Sequence, residues 1–208
     1  MHRKHQKISR IILICFIGIW IYFIGFAVLN MIYPDLRDNY AGSAGLKYSK
    51  MLYELSESFF ILGCTLTGTV FAELGETIPS SGFTMLAIAH GIFFSSTFEI
   101  DTADYGKAVE IFVAGLLLFM PAMIMVSNFR EFPKWMRYLG IISCLPFVMN
   151  MIYYFQGRID PQSQEPVGAI AFFLLNCTTT IWGFRIGKIL RSNAKAVDAG
   201  QENREINR

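Results

Sequence analysis

The feature that most constrains this chain is the length of its uncharged apolar runs. "IILICFIGIWIYFIGFAVL", residues 11–29, carries no charge over nineteen residues. About 18 or more such residues, wound as a helix, reach across the roughly 30 Å hydrocarbon core of a bilayer. Further runs of this kind give six predicted spans, near 11–33, 51–72, 82–98, 107–127, 136–155 and 166–187, the third being short. Lipid offers backbone groups no water, so each span must satisfy its own hydrogen bonds as a helix. The chain is 53% hydrophobic and only 16% charged, against the quarter or so usual in soluble domains, which argues against a soluble fold with a large core. The predicted fold class is therefore all-α, a polytopic bundle of six transmembrane helices. It forms a single domain over 1–195, with "AVDAGQENREINR" (196–208) as a short polar cytoplasmic tail.

The N-terminal "MHRKHQKISR" has the basic character of a secretion signal. The apolar run after it exceeds the 7–15 residues of a signal core and ends in no small-residue cleavage site, so a retained first helix is expected. Pro34, the 78–82 segment "IPSSG", Pro133 and Pro161 supply breaker chemistry between spans.

Orientation follows the positions of Lys and Arg, which are in excess on cytoplasmic segments. Thirteen of the eighteen basic residues fall on the side holding both termini, in the N-terminal tail, the 128–137 connection and the C-terminal end from Arg185 onward. Both termini are therefore expected in the cytoplasm. The acids distribute oppositely. Asp35, Asp38, Glu54, Glu57, Glu99, Asp101, Asp104, Glu110, Asp160 and Glu165 all map to the other side and form an acidic outer rim.

Two accounts of that rim stand. Glu54, Glu57 and Glu110 lie in the first turns of their predicted spans, where the helix dipole favours carboxylates without any ligand. In the other account Glu54 and Glu57, three apart, share a face with Ser58, Ile61, Cys64, Thr65, Gly68 and Ala72. A small, weakly polar stripe of this kind faces protein or lines a cavity. The two acids would then point inward to meet Glu99 and Glu110 as cation or proton groups, because ionisable groups inside a bundle are costly and mark function.

His90 lies midway along the third span, either as a satisfied interhelical hydrogen-bonder or as a proton-carrying, substrate-facing group. Pro121 and Pro146 fall inside spans and can bend them. Asn150 follows Pro146 by one turn, and Asn176 shares a face with Phe173, Thr180, Gly183 and Gly187. Both asparagines are candidates to line a polar path. Cys15, Cys64, Cys144 and Cys177 form no C-x-x-C and are expected as small buried side chains.

Several chemistries have no carrier here. There is no P-loop, no H-E-x-x-H and no G-x-S-x-G elbow. Three histidines, two of them in the N-terminal tail, cannot build a zinc triad or clamp a haem. No cofactor and no metal is expected. The basic "RIGKILRSNAK" lacks nucleic-acid motifs and reads as an anchor to anionic lipid.

A first span ending in "LNMIYPDLRDNYAGSAG", a second opening with polar residues and a third ending in "EIDTADYG" give an order of features. It resembles a bacterial domain-of-unknown-function family of six-helix integral membrane proteins. Such families carry a histidine after the acidic turn, where this chain has Tyr105 and Gly106. The resemblance implies a multi-pass fold in a bacterial inner membrane and transfers no functional residues. The expected function is a small transporter or permease-like protein with an acidic outward cavity for a small ligand or cation. The alternative is a non-catalytic membrane subunit or sensor docking a protein partner through its outer loops. An intramembrane enzyme ranks last.

Overall fold

A computed structural model describes residues 2–32, 44–99, 105–156 and 166–206. Among them all regular structure is helical. The order is α1 (His2–Gly18), α2 (Ile21–Ile32), α3 (Ala44–Glu73), α4 (Thr77–Glu99), α5 (Tyr105–Ser127), α6 (Lys134–Ile142), α7 (Leu145–Phe155) and α8 (Pro166–Ile206). Six stretches are long and apolar enough to cross a membrane: Lys7–Leu29, Lys47–Glu73, Thr77–Ser96, Glu110–Ser127, Lys134–Tyr153 and Ile170–Ser192. Large apolar side chains face outward along these stretches, among them Ile14, Ile24, Leu117, Ile124 and Ile152. A soluble monomer rarely exposes so continuous an apolar surface, and the six helices are compatible with a multi-pass membrane protein.

Two boundaries differ from the sequence expectation, the start of α4 and the end of α8. The third span is not short, because Pro79 sits in the first turn of α4, where its missing N–H would have no helical partner anyway. The real turn is Leu74–Glu76. Gly75 at φ +76° ends α3, with Glu76 N–H bonded to Phe71 O (2.9 Å) and Gly75 N–H to Ala72 O (3.1 Å), a Schellman cap. Pro121 interrupts nothing, since α5 is continuous through it. At the C-terminus the polar 196–206 segment extends α8.

Each span packs on the next, and α8 returns to α1, so the six close into a ring. Close approach comes from small residues. Gly68 of α3 seats Ser80 and Thr84 of α4, and Gly82 of α4 and Gly115 of α5 bring those two helices together. Phe16 of α1 is clasped between Gly63 of α3 and Gly183 of α8, where a β-carbon on Gly183 would meet its ring at 2.6 Å. The interior is mostly aromatic, with Phe60, Phe71, Phe83, Phe93, Phe119, Phe147 and Trp182 buried.

Antiparallel contacts fix which ends share a face. Ser9 donates to Gly187 O (3.3 Å), Thr180 to Phe16 O (3.0 Å), and Trp20 meets Phe173 edge-on. Arg130 pairs with Glu76 at 2.7 Å, and Arg185 donates to Glu131 O at 3.1 Å. The two described turns therefore lie on the face that also holds the open ends of α1 and α8. Connections 33–43, 100–104 and 157–165 lie outside the described residues. So do the rim acids Asp35, Asp38, Asp101, Asp104, Asp160 and Glu165.

Candidate functional site

Two of the residues singled out in the sequence meet inside the ring. Glu57 on α3 and His90 on α4 are both buried, and Glu57 Oε2 lies 2.5 Å from His90 Nδ1. The local sequence explains the meeting. On α3 the buried positions Ser56, Glu57, Phe60, Gly63, Cys64 and Thr67 recur at helical spacing, as do Phe83, Leu86, Ala89, His90 and Phe93 on α4. The two faces oppose one another. Tyr53 lies one turn before Glu57 on the same helix, packed between Tyr22 and Phe172.

The imidazole is otherwise enclosed by rings. Phe60 stacks on it with centroids 3.7 Å apart, Phe93 meets it edge-on at 5.1 Å and Phe119 at 6.0 Å. His90 Nε2 is buried with no hydrogen-bond partner. No protonation state cures this. A neutral ring leaves Nε2 either a bare acceptor or a bare donor, and the charged ring leaves it a donor. An unpartnered buried polar atom is unfavourable by roughly 1–3 kcal/mol, so its presence asks for a reason. Chemically, the Glu57–His90 pair can hold or pass a proton between oxygen and nitrogen, and Nε2 is its open end.

Of the other expected acids, Glu54 and Glu110 are described, and neither is buried as Glu57 is. Glu54 is half-buried, and Glu110 is exposed at the start of the α5 span. The Glu99 side chain lies outside the described residues. The stripe expected beneath Glu54 and Glu57 is rotated: Cys64 and Gly68 are buried, but Ser58, Thr65 and Ala72 are exposed. Ser58 and Thr65 bond back to Glu54 O and Ile61 O, as hydroxyls on an apolar-facing helix surface do. Cys15, Cys64 and Cys144 are buried and Cys177 partly so, all as free thiols.

The first and fifth spans are each interrupted near mid-length. At Ile19–Trp20, Trp20 N–H bonds to Ile17 O rather than to Phe16 O. Side chains take the freed carbonyls. Thr180 donates to Phe16 O, while Ser56 (2.6 Å) and Asn176 (3.4 Å) both donate to Ile19 O. Trp20 Nε1 in turn donates to Thr180 Oγ1 at 2.9 Å. Asn176 is thus engaged by backbone. Asn150 is half-buried on α7. At Ser143–Cys144 the break precedes Pro146, which falls in the first turn of α7. Ser143 Oγ lies 2.6 Å from Thr178 Oγ1 and Cys144 Sγ 3.5 Å from Gly140 O. One turn of α8, Asn176–Thr180, therefore serves both breaks.

Ser56 and Ser143 in these networks, and Tyr53 beside the pair, are residues that sequence reasoning passed over. Tyr53 carried a signal, lying four residues before Glu57 on one helix face; the serines, ordinary in membrane helices, carried none. Compared with known proteins, the chain matches no family model, no curated protein and no solved structure.

Proposed function

We propose that the chain is a small multi-pass permease-like membrane protein with both termini in the cytoplasm, and that its working group is the buried Glu57–His90 pair, acting on a proton. The orientation rests on the excess of Lys and Arg on the face that holds the termini. The proton role rests on one observation: a carboxylate and an imidazole in contact inside an apolar bundle, with Nε2 left open. Ionisable groups in such a place are expensive and mark ion or proton pathways.

The test needs no known substrate. Purified protein in liposomes on a solid-supported membrane is given a pH step, and the charge displaced is recorded. The wild-type chain should displace charge as protons reach the pair, and Glu57→Gln should abolish the signal while the protein remains folded. A wild-type trace identical to that of empty liposomes overturns the reading.

The dense ring packing around His90 favours a second reading, a non-catalytic subunit or sensor that docks a partner through its outer connections. That protein tolerates Glu57→Gln and copurifies with another chain. An enzyme would need two carboxylates held close, whereas the described partner of the Glu57 carboxylate is an imidazole.

A further inference from the structure

Between the Glu57–His90 pair and the face that holds the chain ends, the interior is closed by rings in mutual contact. Phe71 of α3 stacks on Phe83 of α4 at 5.7 Å, Phe83 meets Trp182 of α8 at 6.4 Å, and Trp182 stacks on Phe132 at 5.6 Å. Phe132 meets Phe129 at 5.1 Å, and Phe129 returns to Phe71 at 4.7 Å, so the five form a closed circuit. All five are buried, the most accessible at 3%. They come from α3, α4, α8 and the turn between α5 and α6. Phe16 of α1 fills the space between Gly63 of α3 and Gly183 of α8. Phe83 lies seven residues before His90 on α4, about 10 Å of helix, on the side of the Leu74–Glu76 turn.

This layer offers a proton no carrier. Its rings have no hydroxyl, and the indole N–H of Trp182 is committed to Met136 O at 3.4 Å. Thr67, one turn before Phe71, turns its hydroxyl back on Gly63 O at 2.7 Å. Ser127 lies against Gly140 with no partner for its hydroxyl, an end and not a relay. A packed apolar constriction holds no continuous water, and taking an unhydrated ion through it is costly. The other side of the pair is built differently. A second circuit, Phe93–Phe112–Phe172–Phe147–Phe119, draws on α4, α5, α7 and α8 and has no member on α3, the helix that carries Glu57. Its Phe112 and Phe172 are only half-buried. On α3 that flank is taken by Tyr53, half-buried one turn before Glu57 and edge-on to the half-buried Tyr22 at 5.8 Å, with the half-buried Glu54 beside it in sequence. A phenol both accepts and donates, so this side has groups that can hand a proton inward.

We infer that the five-ring circuit is the seal of the Glu57–His90 pair: it closes the pair from the face of the chain termini, so that protons reach it from the opposite face, along the Tyr22–Tyr53 side. A protein in this form loads protons from one side and does not leak them across. The inference deepens the proton reading and rests on it for its purpose, though the seal itself can be measured without it.

The experiment uses the full chain inserted one way into liposomes, with orientation read from impermeant-maleimide labelling of an Arg130→Cys variant. Cys64 lies seven residues beyond Glu57 and seven before Phe71 on α3, so it samples the space between pair and seal. With Cys15→Ala, Cys144→Ala and Cys177→Ala leaving it the sole thiol, a charged methanethiosulfonate applied at the termini face should leave it unmodified. Phe83→Ala or Phe71→Ala should speed modification from that face by roughly tenfold or more, because each leaves a cavity in the layer; Phe83→Leu serves where the alanines do not fold. In parallel, a caged proton is photolysed either outside the vesicles or in their lumen while displaced charge is recorded from the cysteine-intact chain. Release at the face opposite the termini should displace charge, and release at the termini face less than about a tenth as much. A Cys64 rate that the ring substitutions leave unchanged overturns the seal. Equal displacement from the two faces also overturns it and leaves the proton reading standing. A Cys64 protected until the rings are cut, with no displacement from either face, removes the proton reading and leaves the seal.

Discussion

Trp182 of α8 lies so close to Gly140 of α6 that a β-carbon on the glycine would stand 2.5 Å from the indole Cζ2. The indole is fully buried, stacked on Phe132 at 5.6 Å and edge-on to Phe83 at 6.4 Å, so it has nowhere to retreat. Gly140→Ala should therefore destabilise the protein by about 1–3 kcal/mol, the usual effect of overpacking a filled core. Reversible unfolding in mixed micelles measures it, and a change under about 0.3 kcal/mol would show that the α6–α8 contact is looser than described.

The Glu57–His90 pair can be tested for stability separately from function. Removing one partner, as in Glu57→Leu, strands the other in an apolar bundle and should cost about 3–5 kcal/mol if the pair is ionised. Glu57→Leu with His90→Phe should recover most of that loss, since well-packed apolar replacements of buried pairs are often neutral or better. A double variant as unstable as the single one would mean that the pair is retained for folding and not for proton chemistry.

Ser143 and Thr178 offer a double-mutant cycle across the second break. Their hydroxyls are 2.6 Å apart, and Thr178 Oγ1 also reaches Leu174 O at 2.8 Å. Interhelical hydrogen bonds in membrane proteins average about 0.6 kcal/mol and reach roughly 1.7. Ser143→Ala and Thr178→Val should show a coupling in that range. Zero coupling would place the support of the break elsewhere.

Arg130 and Glu76 join the two turns of one face, yet the Arg130 side chain is 76% exposed. Exposed pairs contribute about 0–1 kcal/mol and weaken with salt. Arg130→Ala should lie within that range and shrink further at high ionic strength. A larger, salt-independent loss would show that the guanidinium bonds something besides the carboxylate.

Much of the architecture was legible in the residues, because long uncharged runs leave few alternatives to membrane-length helices. The exceptions have physical causes. Pro79 reads as a breaker in a sequence but is harmless in a first helical turn, so α4 begins earlier than expected. The Ile19–Trp20 break has no proline to announce it. It exists because Ser56 and Asn176, 37 and 157 residues away along the chain, take over one carbonyl. Glu57 and His90 were each visible as ionisable groups in apolar runs, but their pairing depends on the relative rotation of α3 and α4, which hydropathy does not report. The same rotation explains why Ser58 and Thr65, expected to face protein, face outward. Glu54 and Glu110 shared the sequence character of Glu57 without its burial.

The clasp on Phe16 has a consequence for how the molecule assembles. One aromatic knob occupies two glycine sockets on helices separated by most of the chain, and the fit makes no use of the peptide connection between α2 and α3. The first span should consequently recognise its berth even when supplied as a separate polypeptide, so that the protein could be cut in two within 33–43 and rejoined by mixing.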